Sequence, residues 1–228
     1  MSAVPAAEAA PNLKQGQFRN LILATLASTV GFWAWTIVGP LSKRYANDMH
    51  LSPGQTAILV AMPIFVGSIA RVPVGALTDK FGGRLMFTVI LGITAPLVLL
   101  TGVVGQLNTF PLLVVVAFFL GIAGTVFAIG IPFCSAWYES HRKGFATGVF
   151  GAGMVGTAVS AFFTPRLVAA TGYFMTHVIV AVIVAVSALL CWLLLRDSPA
   201  RAGVVAEPAM PKLKAAFKLK VTWQLCFL

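Results

Sequence analysis

Long apolar runs separated by short polar breaks dominate the chain from Phe18 onward. The runs approach or exceed the roughly 20 residues that a helix needs to cross the hydrocarbon core of a bilayer. They predict six membrane spans, at about 18–40, 55–78, 85–105, 110–134, 144–165 and 174–195. The last eight residues, VTWQLCFL at 221–228, read as the opening of a truncated seventh span. Ahead of the first span, MSAVPAAEAAPNLKQGQ (1–17) is rich in Ala and Pro and predicts a disordered tail. It is not a signal peptide, because the apolar run that follows is too long and lacks a small-residue cleavage pattern.

Composition turns the pattern into a class. Hydrophobic residues make up 59% of the 228 and charged residues 10%, with mean hydropathy +0.93. A soluble domain carries roughly 25% charged residues, so this chain cannot cover a soluble surface. The reading is an all-α membrane protein with a six-helix body at 18–195 and a basic, Pro-interrupted linker at 196–220.

The net charge of +10 raises the question of nucleic acid, and the placement of the charges answers it. With the N-terminus taken as cytoplasmic, the inner segments hold Lys14, Arg19, Lys80, Arg84, Arg142, Lys143 and the basic stretch from Arg196 to Lys220. The outer loops hold only Lys43, Arg44 and Arg166. That asymmetry obeys the positive-inside rule and orients the protein in its membrane, N-terminus inside. No basic face interleaved with aromatics accompanies it, so no nucleic acid is expected. Cys134, Cys191 and Cys226 fall in or near apolar runs and read as buried small hydrophobes. His50, His141 and His177 lie far apart, with no metal-ligand spacing, and neither a metal nor a cofactor is expected.

Gly151-Ala-Gly153-Met154-Val-Gly156 matches the dinucleotide fingerprint G-x-G-x-x-G. That motif requires a preceding strand and an acidic residue about twenty positions on. Here no Asp or Glu occurs between Glu139 and Asp197, and the match is false. In the same run Gly144, Gly148, Ala152 and Gly156 stand at every fourth residue and read as a small-residue face for close helix packing. A second reading has bare backbone lining a path for a small substrate. Arg71 stands inside the second apolar run, where a guanidinium costs on the order of 2.5–3.5 kcal/mol on insertion scales. Either it snorkels to the headgroups, or it faces a polar cavity and offers its forked donors to a planar oxyanion.

After Arg71 comes GALTDKFGGR, 75–84, which resembles the signature loop of the major facilitator superfamily. Gly75, Asp79, Gly82, Gly83 and Arg84 fall in the matching places, as a loop whose charge contacts break and reform when helices rock. A narrower resemblance, from about residue 31 to the end, is to the nitrate/nitrite porters of that superfamily. It rests on Arg71-Val-Pro-Val-Gly75, on TVFAIG at 125–130, on the connection CSAWY…GFATG, and on GVFGAGMVG at 148–156.

The resemblance implies the N-terminal half of a two-half transporter, with the missing C-terminal six-helix half either further along a longer chain or in a separate one. The unfinished run at 221–228 favours the longer chain. It also implies that Arg71 clamps a nitrate or nitrite anion, that Phe127 stacks on its flat face, and that Gly151, Gly153 and Gly156 let the fifth helix approach it. Met154 departs from the asparagine of many members, and a thioether cannot donate a hydrogen bond. The expected function is nitrate and/or nitrite transport by alternating access, as exchange or proton symport, with no covalent chemistry. Two other readings stand beside it: a transporter of another small anion, and a non-transporting membrane sensor or assembly subunit.

Overall fold

In the computed structural model, residues 16–199 are described; the tail before Gly16, the linker beyond Pro199 and the run 221–228 lie outside the described residues. Six helical runs are long and apolar enough to cross a membrane: Gln17–Asp48, Pro53–Phe81, Gly83–Gln106, Phe110–Ser135, Ser140–Thr171 and Tyr173–Leu194. They are numbered below as the first to sixth spans. No strand occurs among the described residues.

The first and fifth spans overrun their predicted ends, at Pro40 and Pro165, the furthest. Pro40 lies in the first turn of a 3-10 helix, Gly39–Leu41, where its missing N–H removes no internal bond, and the chain continues as the helix Ser42–Asp48. Pro165 sits inside the helix Gly156–Thr171. Prolines are tolerated inside membrane helices, where neighbouring groups satisfy the freed carbonyls. The second span starts on a capping box, with Ser52 Oγ accepting from the Gln55 N–H and Gln55 Oε1 accepting from the Ser52 N–H.

The same turn is used twice. Gly82 alone separates the second and third spans, with φ +96° and ψ 153°, and Gly172 alone separates the fifth and sixth, with φ +86° and ψ 164°. Backbone of that kind is rarely adopted by residues with a Cβ, so a one-residue reversal demands glycine.

The third span packs most extensively on the sixth. The contact is close because a methyl group on Gly102 would meet the His177 side chain and one on Gly105 would meet the Tyr173 ring. Tyr173 donates its hydroxyl proton to the Thr101 carbonyl (3.0 Å), so at its 2.8 Å contact with Tyr45 it accepts. His177 Nδ1 lies 2.9 Å from the Tyr173 carbonyl, which can only accept, so Nδ1 carries the ring proton. Cys134 and Cys191 are buried free thiols, as their apolar settings predict.

The first span lies against the fourth, fifth and sixth, and the second lies against the fourth. The second and fifth spans are the least covered. Phe65, Ile69 and Val72 of the second and Phe162 and Phe163 of the fifth are exposed.

Candidate functional site

Arg71 lies ten residues before the end of the second span, about 15 Å at the helical rise of 1.5 Å per residue. Its side chain does not reach back along that distance. The guanidinium carbon is 5.8 Å from the centroid of Trp35 on the first span and 5.8 Å from that of Phe127 on the fourth. Nε donates a long, 3.4 Å hydrogen bond to the Gly124 carbonyl. Among the described residues no carboxylate pairs with Arg71, and its terminal nitrogens have no hydrogen-bond acceptor. The group is therefore held by its inner nitrogen and its faces, with the outer fork of N–H donors unengaged by any of the described residues.

The elements around it depart from the regular α-helix. The fourth span tightens to a 3-10 helix over Gly121–Thr125, which carries Gly124 and leads directly to Phe127. The fifth does the same over Ala152–Val155, inside the glycine-rich run. Short 3-10 segments inside long helices mark hinges or local strain. Phe127 is half-buried in a ring cluster, 5.8 Å from Phe150 and 6.2 Å from Phe32 between centroids, so one of its faces is committed to packing.

The glycines of the fifth span divide. Gly151 has open space where a Cβ would stand, and Met154 is exposed. Gly153 and Gly156 are buried against the first span, where Cβ atoms would meet Ser28 and the Thr29 carbonyl. The every-fourth-residue face through Gly144, Gly148, Ala152 and Gly156 is packed only at Gly156: the other three positions are exposed, and Gly144 and Gly148 have nothing within 4 Å of a Cβ. The buried face runs Ala146, Phe150, Gly153, Gly156, Ser160, Thr164. Its steps of three coincide with the 3-10 segment, which has three residues per turn and so moves the contact onto a different set of small residues.

The signature loop lies at the C-terminal end of the second span. Gly75 is half-buried with open space around it, Asp79 is exposed, and Gly82 makes the turn. The third span, Gly83–Gln106, begins on a glycine with a second, Gly82, at its N-cap, and so has no capping side chain of its own. Asp197, just past the sixth span, supplies one: its Oδ1 accepts from the Gly83 N–H (2.8 Å) and the Arg84 N–H (3.2 Å). A carboxylate at a helix N-terminus satisfies orphan donors and complements the helix dipole. Arg84 donates through Nε (3.0 Å) and Nη2 (2.6 Å) to the Trp192 carbonyl, with its guanidinium 4.8 Å from the Trp192 ring. The segment extends the tie, as the Arg196 N–H donates to Asn20 Oδ1 (2.9 Å) and Ser198 Oγ donates to the Ala136 carbonyl (2.7 Å).

Asp197 was legible only as one charge in a basic stretch. The signal was the uncapped Gly-Gly start of the third helix. Loss of the cap in Asp197→Ala should cost about 0.5–2 kcal/mol, and Asp197→Asn, which keeps the acceptor and loses the charge, should cost less. Thermal melting in detergent reads both, and equal melting of all three proteins would show the cap to be idle.

The chain belongs to the Major Facilitator Superfamily, whose family model matches residues 24–228. Within it, the similarity is to nitrate and nitrite transporters. The chain is 51% identical over 214 residues to the "Probable nitrate/nitrite transporter NarK2" of Mycobacterium tuberculosis, covering 94% of this chain and 54% of that protein. It is 34% identical over 209 residues to the "Nitrite extrusion protein" of Bacillus subtilis, covering 92% and 51%. With the "Probable nitrate transporter NarT" of Staphylococcus haemolyticus it shares 33% over 201 residues, covering 88% and 51%. The chain thus spans about half the length of the curated relatives it matches. Its six helices form the N-terminal half of the superfamily fold, and the relatives' names are those of transporters, not enzymes.

Proposed function

We propose that this chain forms the anion-binding N-terminal half of a nitrate and/or nitrite transporter that works by alternating access with a second six-helix half. The observation that carries the reading is the Arg71 guanidinium, deep in a span, anchored by Nε to Gly124 and flanked by two rings, with its outer donors free of acceptors among the described residues. A forked, planar donor set matches a planar oxyanion better than a point charge does, and removal from bulk water strengthens the attraction. Phe127, Gly151 and Met154 are the further residues we assign to the anion's surroundings. Gly153 and Gly156 contribute by letting the fifth span close on the first. The loop Gly75, Asp79, Gly82, Gly83 and Arg84, with Asp197, forms the contacts that change as the halves rock. The membrane is a bacterial inner membrane, with the N-terminus on the cytoplasmic side, following the distribution of basic residues.

The test is uptake of labelled nitrate into proteoliposomes holding this chain together with its second half. Uptake driven by internal nitrite identifies exchange, and uptake driven by an inward proton gradient identifies symport. Liposomes that take up another small anion and no nitrate would overturn the substrate. Inert liposomes containing folded protein would favour a sensor or assembly subunit.

A further inference from the structure

Trp35 is the residue around which the site is built. It is the last residue of the regular helix Gln17–Trp35, ahead of the 3-10 turn Gly39–Leu41, so its indole projects where the first span changes course. Its Nε1–H donates to the Pro63 carbonyl of the second span at 2.9 Å. Two glycines from different spans make room for the ring. A methyl on Gly67 would stand 2.8 Å from Trp35 Nε1, and one on Gly124 would stand 2.6 Å from Trp35 Cε2. The second and fourth spans also meet directly beside it, since a methyl on Gly121 would stand 2.7 Å from the Pro63 carbonyl. Phe32 closes another side at 5.5 Å between centroids. The indole is thus fixed by one hydrogen bond and by backbone, which cannot move aside as a side chain can.

We propose that Trp35 is a positioning residue for the anion site: it holds the Arg71 guanidinium in the plane in which its outer donors meet the anion. This rests on the anion reading of Arg71 given above. An arginine side chain carries roughly 2 kcal/mol of rotamer freedom, and a group that is already ordered loses less on binding. The Gly124 hydrogen bond, at 3.4 Å, is too long to order it alone. Phe127 contributes a second face, but its ring belongs to a side-chain cluster, whereas Trp35 is clamped by glycine backbone. The positioning is therefore rigid on the Trp35 side and adaptable on the Phe127 side.

The experiment uses the complete transporter, this chain with its second half, as wild type, Trp35→Phe and Trp35→Leu, each also in an Arg71→Lys background. Two readouts are taken: nitrate half-saturation against maximal rate, and the rate at which phenylglyoxal modifies Arg71, followed by peptide mass. Trp35→Leu should raise half-saturation about tenfold, within the range of a lost cation–π contact, with the maximal rate changed less than about twofold. Trp35→Phe, which keeps a ring face and loses the indole N–H, should recover much of that loss. Arg71 should react faster with phenylglyoxal in Trp35→Leu, and in the Arg71→Lys background the leucine change should cost no further affinity. A phenylglyoxal rate identical in wild type, Trp35→Phe and Trp35→Leu would overturn the positioning role whatever transport does. So would a leucine penalty that persists undiminished in the Arg71→Lys background. Wild type that binds no nitrate, with Arg71 reactivity still dependent on Trp35, would instead overturn the anion reading and leave the contact standing.

Discussion

Arg71→Lys should reduce nitrate affinity by about ten- to hundredfold while the protein still inserts and folds. The charge is conserved, so simple attraction does not distinguish the two residues. What differs is the number and arrangement of donors. Arginine can engage Gly124 through Nε and retain two outer nitrogens for the anion. A lysine ammonium has three donors on a single atom and cannot face a backbone carbonyl and both oxygens of a planar anion in the same way. Loss of a hydrogen bond to a charged group costs about 1.5–3 kcal/mol, and each step of about 1.4 kcal/mol is tenfold in affinity. Lysine also loses the broad faces that lie against Trp35 and Phe127. Uptake of labelled nitrate at concentrations below half-saturation, normalised to folded protein by size-exclusion chromatography, is the measurement. Transport equal to wild type would show that the cation matters only as a charge, and the forked-donor assignment would fail. Arg71→Gln, a neutral side chain, should be inactive under either case and sets the baseline against which the lysine variant is read.

The comparison of sequence with structure is uneven in an instructive way. The six spans were legible because bilayer thickness imposes a length that apolar runs cannot hide. Their ends were less so, since a proline at residue 40 or 165 reads as a stop in water and is accommodated here in a 3-10 turn or inside a membrane helix. The Gly82 turn was legible because a one-residue reversal demands positive φ. Arg71 stood out as a guanidinium deep in an apolar run, but the sequence left open whether it snorkelled. Its neighbours Trp35 and Gly124 come from the first and fourth spans, and periodicity says nothing about which distant helices meet. Asp197 was hidden for the same reason, as a cap donated from 113 or more residues away along the chain. The glycine face of the fifth span was misplaced at every position but Gly156, for a local reason. A period of 3.6 was assumed over Ala152–Val155, where the backbone winds with three residues per turn.

That misplaced face yields the second large effect. Gly156→Ala should destabilise the bundle strongly, and Gly148→Ala, about two turns earlier on the same every-fourth-residue face, should be nearly silent. Both add one methyl group to the fifth span, and alanine is the better helix former at either site. At Gly148 the methyl meets nothing within 4 Å, so only the propensity gain remains. At Gly156 it is driven into the Thr29 carbonyl and toward the Cβ of Phe32, 2.9 Å away. A side chain could rotate out of the way; a main-chain carbonyl inside the first span cannot, so the two helices must separate. Phe32 packs on both Trp35 and Phe127, and separation there would loosen the rings that flank Arg71. Ordinary overpacking costs about 1–3 kcal/mol, which corresponds to a fall in melting temperature on the order of 5–10 °C for a chain of this size. Thermal unfolding in detergent, monitored by light scattering and tryptophan emission, gives the ranking directly. If the two alanine variants melt together, close contact of the first and fifth spans at Gly156 does not limit stability. If Gly156→Ala instead melts normally but loses nitrate affinity, the glycine serves the anion rather than the packing, and the fifth span reaches the site at Gly156 as well as at Gly151.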